Sequence, residues 1–242
     1  KVRQKPNINF KDMDPTSTPS TQFSNCANAS FASTTYSITV GNTSVTPCAA
    51  TYSINWGDGT IENNISLPLS HTYLKQGVFS MIISVMGTNG CINAKNYLVK
   101  NISNPSGGIL SPGGTTDMCI PTPVIGYSIG AWATNSPGTT YSVDYGDGSP
   151  ILKLSQDDMV KTSYFNAANP SASVNYPVPY SYNSTSCPKR NFTIKLTVSN
   201  ACKTTQGSVD GGNTISTAKA DFTAPATACT TNDVLFTNTT IM

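Results

Sequence analysis

The chain has 242 residues, with 14 Lys and Arg against 12 Asp and Glu, a net charge of +2 and only 11% charged residues. An average soluble domain carries about 25%, and so weak and balanced a charge leaves no electrostatic footprint for nucleic acid or an anionic membrane surface. No stretch reaches the ~18 apolar residues of a membrane-spanning helix, so direct membrane insertion is not expected; the abundance of Ser, Thr, Asn, Val and Tyr suits an extracellular all-β protein rather than charge-driven disorder.

Residues 1–20, broken by Pro6, Pro15 and Pro19, read as a linker or the end of a preceding element, with Asn7 to Phe10 as a short edge strand. A first domain is expected over 21–103. In it Ser30 to Val40 alternates and reads as a strand anchored by Phe31 and Tyr36, and Gly41 to Pro47 reads as a loop. Tyr52, Ile54 and Trp56 are spaced by two and so share a face. Trp56-Gly57-Asp58-Gly59-Thr60 follows, a turn in which Gly supplies positive φ and Asp accepts from backbone two residues on. Phe79, Met81, Ile83 and Val85 share a face, Thr88 to Gly90 turns, and Tyr97 to Val99 closes the domain. Asn104 to Gly108 and Ser111 to Gly114 read as a flexible junction. A second domain is expected over 104–217. Tyr141 and Val143 lead into Tyr145-Gly146-Asp147-Gly148-Ser149, an insertion of surface loop or short helix occupies about 151–175, and Phe192 to Ser199 alternates most strictly of all. Over 218–242, Ala220 to Phe222 and Val234 to Phe236 read as the start of a third repeat. The chain stops inside that last strand and no leader is visible behind Lys1, so it is expected to be an excerpt of a longer one.

The same order therefore occurs twice: an aromatic-Gly-Asp-Gly turn, then His71-Thr72-Tyr73 or Tyr180-Ser181-Tyr182, then a long alternating strand, then Asn89-Gly90-Cys91 or Asn200-Ala201-Cys202. This resembles the PKD domain, an immunoglobulin-like β-sandwich marked by an aromatic-Gly-Asp-Gly turn followed by His-Thr-Tyr. The second copy departs from that pattern at Tyr180-Ser181-Tyr182 and in its insertion. The flanking cysteines and the Asn-Gly-Cys ending look most like PKD repeats of very long surface adhesins from gliding or predatory Bacteroidota. The resemblance implies an all-β fold of tandem immunoglobulin-like (PKD) β-sandwiches with partial flanking repeats. It also implies a non-catalytic, secreted or cell-surface segment, exported by the type IX system, that acts as a disulfide-stabilised spacer and adhesive module. Its partners would be neighbouring repeats of the same long chain, other copies in a filament, and a cell-surface protein or glycan. An ancillary module of a secreted hydrolase (protease or chitinase) and a carbohydrate-binding module are the alternative readings.

Seven cysteines are present. Their places in the two repeats suggest Cys26–Cys91 and Cys119–Cys202 bonds, each closing one sandwich, with Cys229 opening the third repeat. Cys48 and Cys187 have no counterparts; they bond to each other or stay as thiols. No Cys-x-x-Cys pair suits zinc, and an oxidising compartment is expected. Asp58 and Asp147, with Asp144 nearby, raise calcium, which takes about six to eight oxygen ligands. No acid-rich loop supplies them, so Gly57, Asp58, Gly59, Gly146, Asp147 and Gly148 are expected to be structural turn residues and no cofactor is called for. His71 is the sole histidine and is expected to bond the adjacent turn; without a nucleophile, base and orienter set no enzyme is expected. Tyr73 and Tyr182 resemble the tyrosine corner of β-sandwiches. Tyr180, Trp132, Asp157 and Asp158 are the candidate surface contacts.

Overall fold

The computed structural model describes residues 5–15, 18, 22–27, 35–44, 50–113, 117–187, 191–212, 214–215, 222–223 and 237–238. It is built almost wholly from strands, and these form two immunoglobulin-like β-sandwiches in tandem, each around its own core.

The first sandwich uses β1 (Phe10–Asp12), β2 (Ser24–Ala27), β3 (Tyr36–Asn42), β4 (Ala50–Asn55), β5 (Ile61–Ile65), β6 (Leu69–Tyr73), β7 (Gly77–Gly87) and β8 (Ile92–Ser103). One sheet has the order β1-β3-β6 and the other β2-β8-β7-β4-β5. Period-two alternation decides which side chains enter the core. Met81, Ile83 and Val85 of β7 and Ile54 of β4 face inward with Trp56, against Phe10, Ile38 and Val40 of the opposite sheet. All pairings are antiparallel except that of β2 with β8, where Cys26 lies beside Ile102.

The second sandwich uses β9 (Gly108–Leu110), β10 (Met118–Cys119), β11 (Ser128–Gly130), β12 (Thr140–Asp144), β13 (Leu152–Ser155), β14 (Tyr176–Pro177), β15 (Phe192–Ser199), β16 (Thr204–Gly212) and β17 (Thr214–Ile215). Its sheets are β14-β11-β9 and β13-β12-β15-β16, and β10 runs parallel to β17 with Cys119 beside Ile215. Phe192, Ile194, Leu196 and Val198 are buried while Thr193 and Lys195 are exposed. Two short strands, β18 (Phe222–Thr223) and β19 (Thr237–Asn238), pair antiparallel beyond it.

The short edge strand expected at Asn7 to Phe10 is present as β1, but it is an edge strand of the first sandwich rather than part of a linker, and Phe10 is a core residue. Two further expectations are corrected. Gly41 and Asn42 extend β3 instead of starting a loop. The junction is not flexible. Ser103 and Pro105 are buried, Ser103 exchanges hydrogen bonds with Ser136, and Gly107 packs so closely on Val198 that a Cβ there would lie 2.9 Å from its methyl. The insertion is also anchored. It starts with β13, paired to β12, continues into the four-residue helix α1 (Gln156–Met159) and later a 3₁₀ turn, and it sends Met159 and Phe165 into the core. The expectations on Phe31, Cys48, Cys229 and Val234 to Phe236 fall outside the described residues.

Candidate functional site

The two aromatic-Gly-Asp-Gly turns are built alike. In the first, Gly57 and Gly59 have φ of 82° and 103°, and Asp58 Oδ1 accepts from Thr60 N at 2.9 Å. In the second, Gly146 and Gly148 both have φ of 83°, and Asp147 Oδ1 accepts from Ser149 N at 3.0 Å. A ring then closes over each turn. His71 stacks on Trp56 at 4.4 Å between centroids, with its Nε2 2.8 Å from Asp58 Oδ2. Tyr180 stacks on Tyr145 at 3.8 Å and donates its hydroxyl to Asp147 Oδ2 at 2.7 Å. The replacement of His71 by Tyr180 thus keeps both the stack and the bond to the acid.

The next aromatic fixes the turn to the core. Tyr73 donates to Trp56 O at 2.9 Å, and Tyr182 donates to Tyr145 O at 3.0 Å. Both are fully buried and each stacks on the phenylalanine that follows, Phe79 or Phe192, at 4.5 Å. Burial pushes both phenols up, and it pushes Tyr145 up to about 12 with help from Tyr180 and Tyr127, so these hydroxyls stay protonated donors at neutral pH. Partial burial acts to raise the Asp58 and Asp147 carboxyls. The hydrogen bonds from Thr60 and His71, and from Ser149 and Tyr180, outweigh it and hold both below the usual range. These are acids already spent on holding a turn.

Beside the second turn lies an open cleft of about 640 Å³ lined by Asp144, Asp147, Ser184, Cys187 and Lys195 among others. Asp144 and Asp147 there accept turn N–H groups from Gly146 and Ser149. Among the described residues, no three His, Cys, Asp or Glu side chains gather as a metal site.

One of the candidate surface contacts is buried and another is half-buried. Trp132 is fully buried, donates Nε1–H to Val174 O at 3.0 Å and packs on Tyr176 and Phe165 of the insertion. Tyr180 is half-buried by its own stack. Asp157 and Asp158 are exposed in α1, where Ser155 caps the helix through Asp158 N and Lys161 Nζ bonds Asp158.

The disulfide runs between the sandwiches. Cys26 is bonded to Cys202, 176 residues away, with Cα atoms 5.8 Å apart; Cys91, Cys119 and Cys187 are thiols. This corrects the expected Cys26–Cys91 and Cys119–Cys202 bonds, and the reason is register. Cys26 sits beside Ile102 at the far end of β8, whereas Cys91 immediately precedes Ile92, the start of that strand. Ten residues of strand at ~3.3 Å each put them about 33 Å apart, far past the ~7 Å limit for a disulfide. Cys202, in the β15–β16 turn of the next sandwich, instead meets Cys26 at the junction.

The junction around that bond is polar and partly buried. Ser103 N donates to Ser136 Oγ at 2.7 Å and Ser136 N to Ser103 Oγ at 3.1 Å, with both serines fully buried. Asn200 Nδ2 reaches Ser103 O at 2.9 Å, Asn104 Nδ2 reaches Cys26 O at 3.0 Å, and Ser106 N donates to Asn135 Oδ1 at 2.9 Å. Ser103, Ser136 and Asn135 were not singled out from the sequence, and Asn104, Ser106 and Asn200 were read only as parts of a linker and a turn. The available signal was the paired Asn-x-Cys turns, which place each second cysteine at a hairpin tip, remote from its own first strand.

No protein-family model matches the chain, and no curated protein sequence matches it. Among solved structures, the fibronectin(III)-like modules of Clostridium thermocellum CbhA are similar at 10% identity and a TM-score of 0.32, over 86% of this chain and 94% of that one. A segment of a 1.5-MDa bacterial ice-binding adhesin is similar at 13% identity and a TM-score of 0.30, over 92% of this chain and 69% of that one. A three-domain immunoglobulin segment of titin is similar at 10% identity and a TM-score of 0.28, over 89% of this chain and 67% of that one.

Proposed function

We propose that the chain is a non-catalytic, load-bearing stretch of PKD-like modules, over 21–103 and 104–217 with a third beginning at 218–242, in a large extracellular adhesin of the kind found on Bacteroidota surfaces. Its task is to hold a binding element away from the cell as a stiff spacer, and its partners are adjoining modules and a surface protein or glycan. The observation that carries this is the Cys26–Cys202 bond across the buried junction. Force applied to the two ends of the chain passes from Cys26 through sulfur to Cys202, and the strands from β3 to β15 lie inside the shielded loop, with β1, β16 and β17 outside it. The burial of Trp132, and the stacking of half-buried Tyr180 on Tyr145, weigh against the carbohydrate-binding alternative, which needs an exposed aromatic platform.

Single-molecule stretching from the two ends tests the reading. The oxidised chain is expected to lengthen only by the segments outside the bridge. After reduction, the 176-residue separation adds up to about 600 Å, at ~3.5 Å per residue. An oxidised chain that lengthens as far as the reduced one overturns the load-bearing role.

A further inference from the structure

We infer that Cys91 and Cys119 are the two halves of further staples of the same kind, so that this chain joins end to end, through disulfides, to other modules of its own plan. The inference rests on the modular reading above and extends it to a specific interface.

The formed bond defines the pattern: a first-strand cysteine of one sandwich meets the hairpin-tip cysteine of the next. Cys119 has the surroundings of Cys26. Each lies in a short strand running parallel to the last strand of its own sandwich, beside Ile215 or Ile102. Each strand is entered through a non-glycine residue of positive φ, Asp117 at 56° or Phe23 at 55°. Cys119 is exposed and reduced, its position at the end of the second sandwich uncovered among the described residues.

Cys91 has the surroundings of Cys202. Each cysteine N–H donates to the side chain of the asparagine two residues earlier, Asn89 or Asn200, at 2.9 Å. The chain entering each sandwich runs past that turn in the same way. Ser103 O accepts from Asn200 Nδ2 and buried Pro105 precedes the core residue Ile109 by four. Pro6, also buried, lies 3.4 Å from the Cβ position of Gly87 in the Cys91 turn, accepts through its carbonyl from Asn93 Nδ2, and precedes the core residue Phe10 by four. The Cys119 end of the second sandwich and the Cys91 end of the first are therefore a complementary pair, the heterologous contact that repeats without closing.

Among the described residues the remaining thiol is Cys187, and it does not compete. Cys187 follows Ser186, which bonds Thr214 from the side of β17 opposite to β10. Two strand spacings put it about 10 Å from Cys119, out of disulfide reach. In the joining step, an Sγ–Sγ bond forms between Cys119 of one copy and Cys91 of the next, and both S–H bonds break. The two protons and two electrons released reduce one low-molecular-weight disulfide to two thiols.

The test uses the full chain with Cys26–Cys202 intact, at high concentration with oxidised glutathione. The wild type is expected to give a ladder on non-reducing gels. Cys91→Ser and Cys119→Ser should each stay monomeric alone, but their mixture should give a dimer and stop there. Peptide mapping of isotopically distinct copies should find Cys119 joined to Cys91 between copies, and Cys187→Ser should leave the ladder unchanged. A wild type that stays monomeric, or crosslinks that run through Cys48, Cys187 or Cys229, overturns the inference. Every variant keeps Cys26–Cys202, so stretching still reports on the load-bearing role separately.

Discussion

At the scale of single residues, the same few groups do the same work twice with different chemistry. A histidine and a tyrosine each stack on the turn's leading aromatic and each bond the turn's acid. That acid is what makes the turn sensitive to pH. In the fold Asp58 is held below its ordinary range, so as pH falls the unfolded chain takes up a proton first. The contribution is complete above the unfolded carboxylate value near ~3.9 and is lost as pH drops through the lower folded value. Asp58→Asn keeps a carbonyl to accept from Thr60 but cannot titrate. It should cost about 1 kcal/mol at pH 7 and give a flatter loss of melting temperature between pH 5 and pH 2 than the wild type, as measured by calorimetry. An unchanged acid slope would show that the carboxylate is not held by the turn.

At the scale of elements, the turns work because the chain passes very close to a neighbouring strand. A Cβ on Gly57 would lie 2.5 Å from Ser80 O, and one on Gly146 2.5 Å from Thr193 O, whereas Gly59 and Gly148 have open space around theirs. All four have positive φ. Gly59→Ala should therefore cost only about 1 kcal/mol, from backbone conformation. Gly57→Ala should cost well over that, because backbone must shift as well; denaturant midpoints of the two variants give the comparison, and equal costs would refute the close approach. This part of the architecture was legible in the sequence, since alternation in Phe192 to Ser199 and the doubled Gly-Asp-Gly state faces and turns directly. The junction was not. Asn104 to Gly108 has the composition of a linker, and nothing in a run of Ser, Asn, Pro and Gly tells that Ser103 will be buried against Ser136. The edge strand at Asn7 to Phe10 could be read, but not its place in the first sandwich, because a three-residue strand is too short for a signal that says which sheet it joins. The cysteine pairing was misread because repeat logic alone favours bonds within a unit; register, which sequence does not supply, sends Cys26 to the neighbouring unit.

At the scale of the whole molecule, two cores are held in one arrangement by a covalent bond and a small set of buried hydrogen bonds. On chain-entropy grounds a crosslink over 176 residues contributes at most about 5 kcal/mol, but it lies outside both cores. Reduction should thus leave amide protection in β7 and β15 close to its oxidised level and lower it at Ser103, Ser106 and Ser136, as read by hydrogen exchange. Loss of protection throughout β7 would mean that the bond holds the sandwiches together internally. The position of the bond has a second consequence. If one peptide bond is severed anywhere between Cys26 and Cys202, in an exposed stretch such as Leu74 to Gln76 or in the insertion, the two fragments stay tied to each other. Separating those two fragments then takes two chemically different events, a backbone nick and a reductive one.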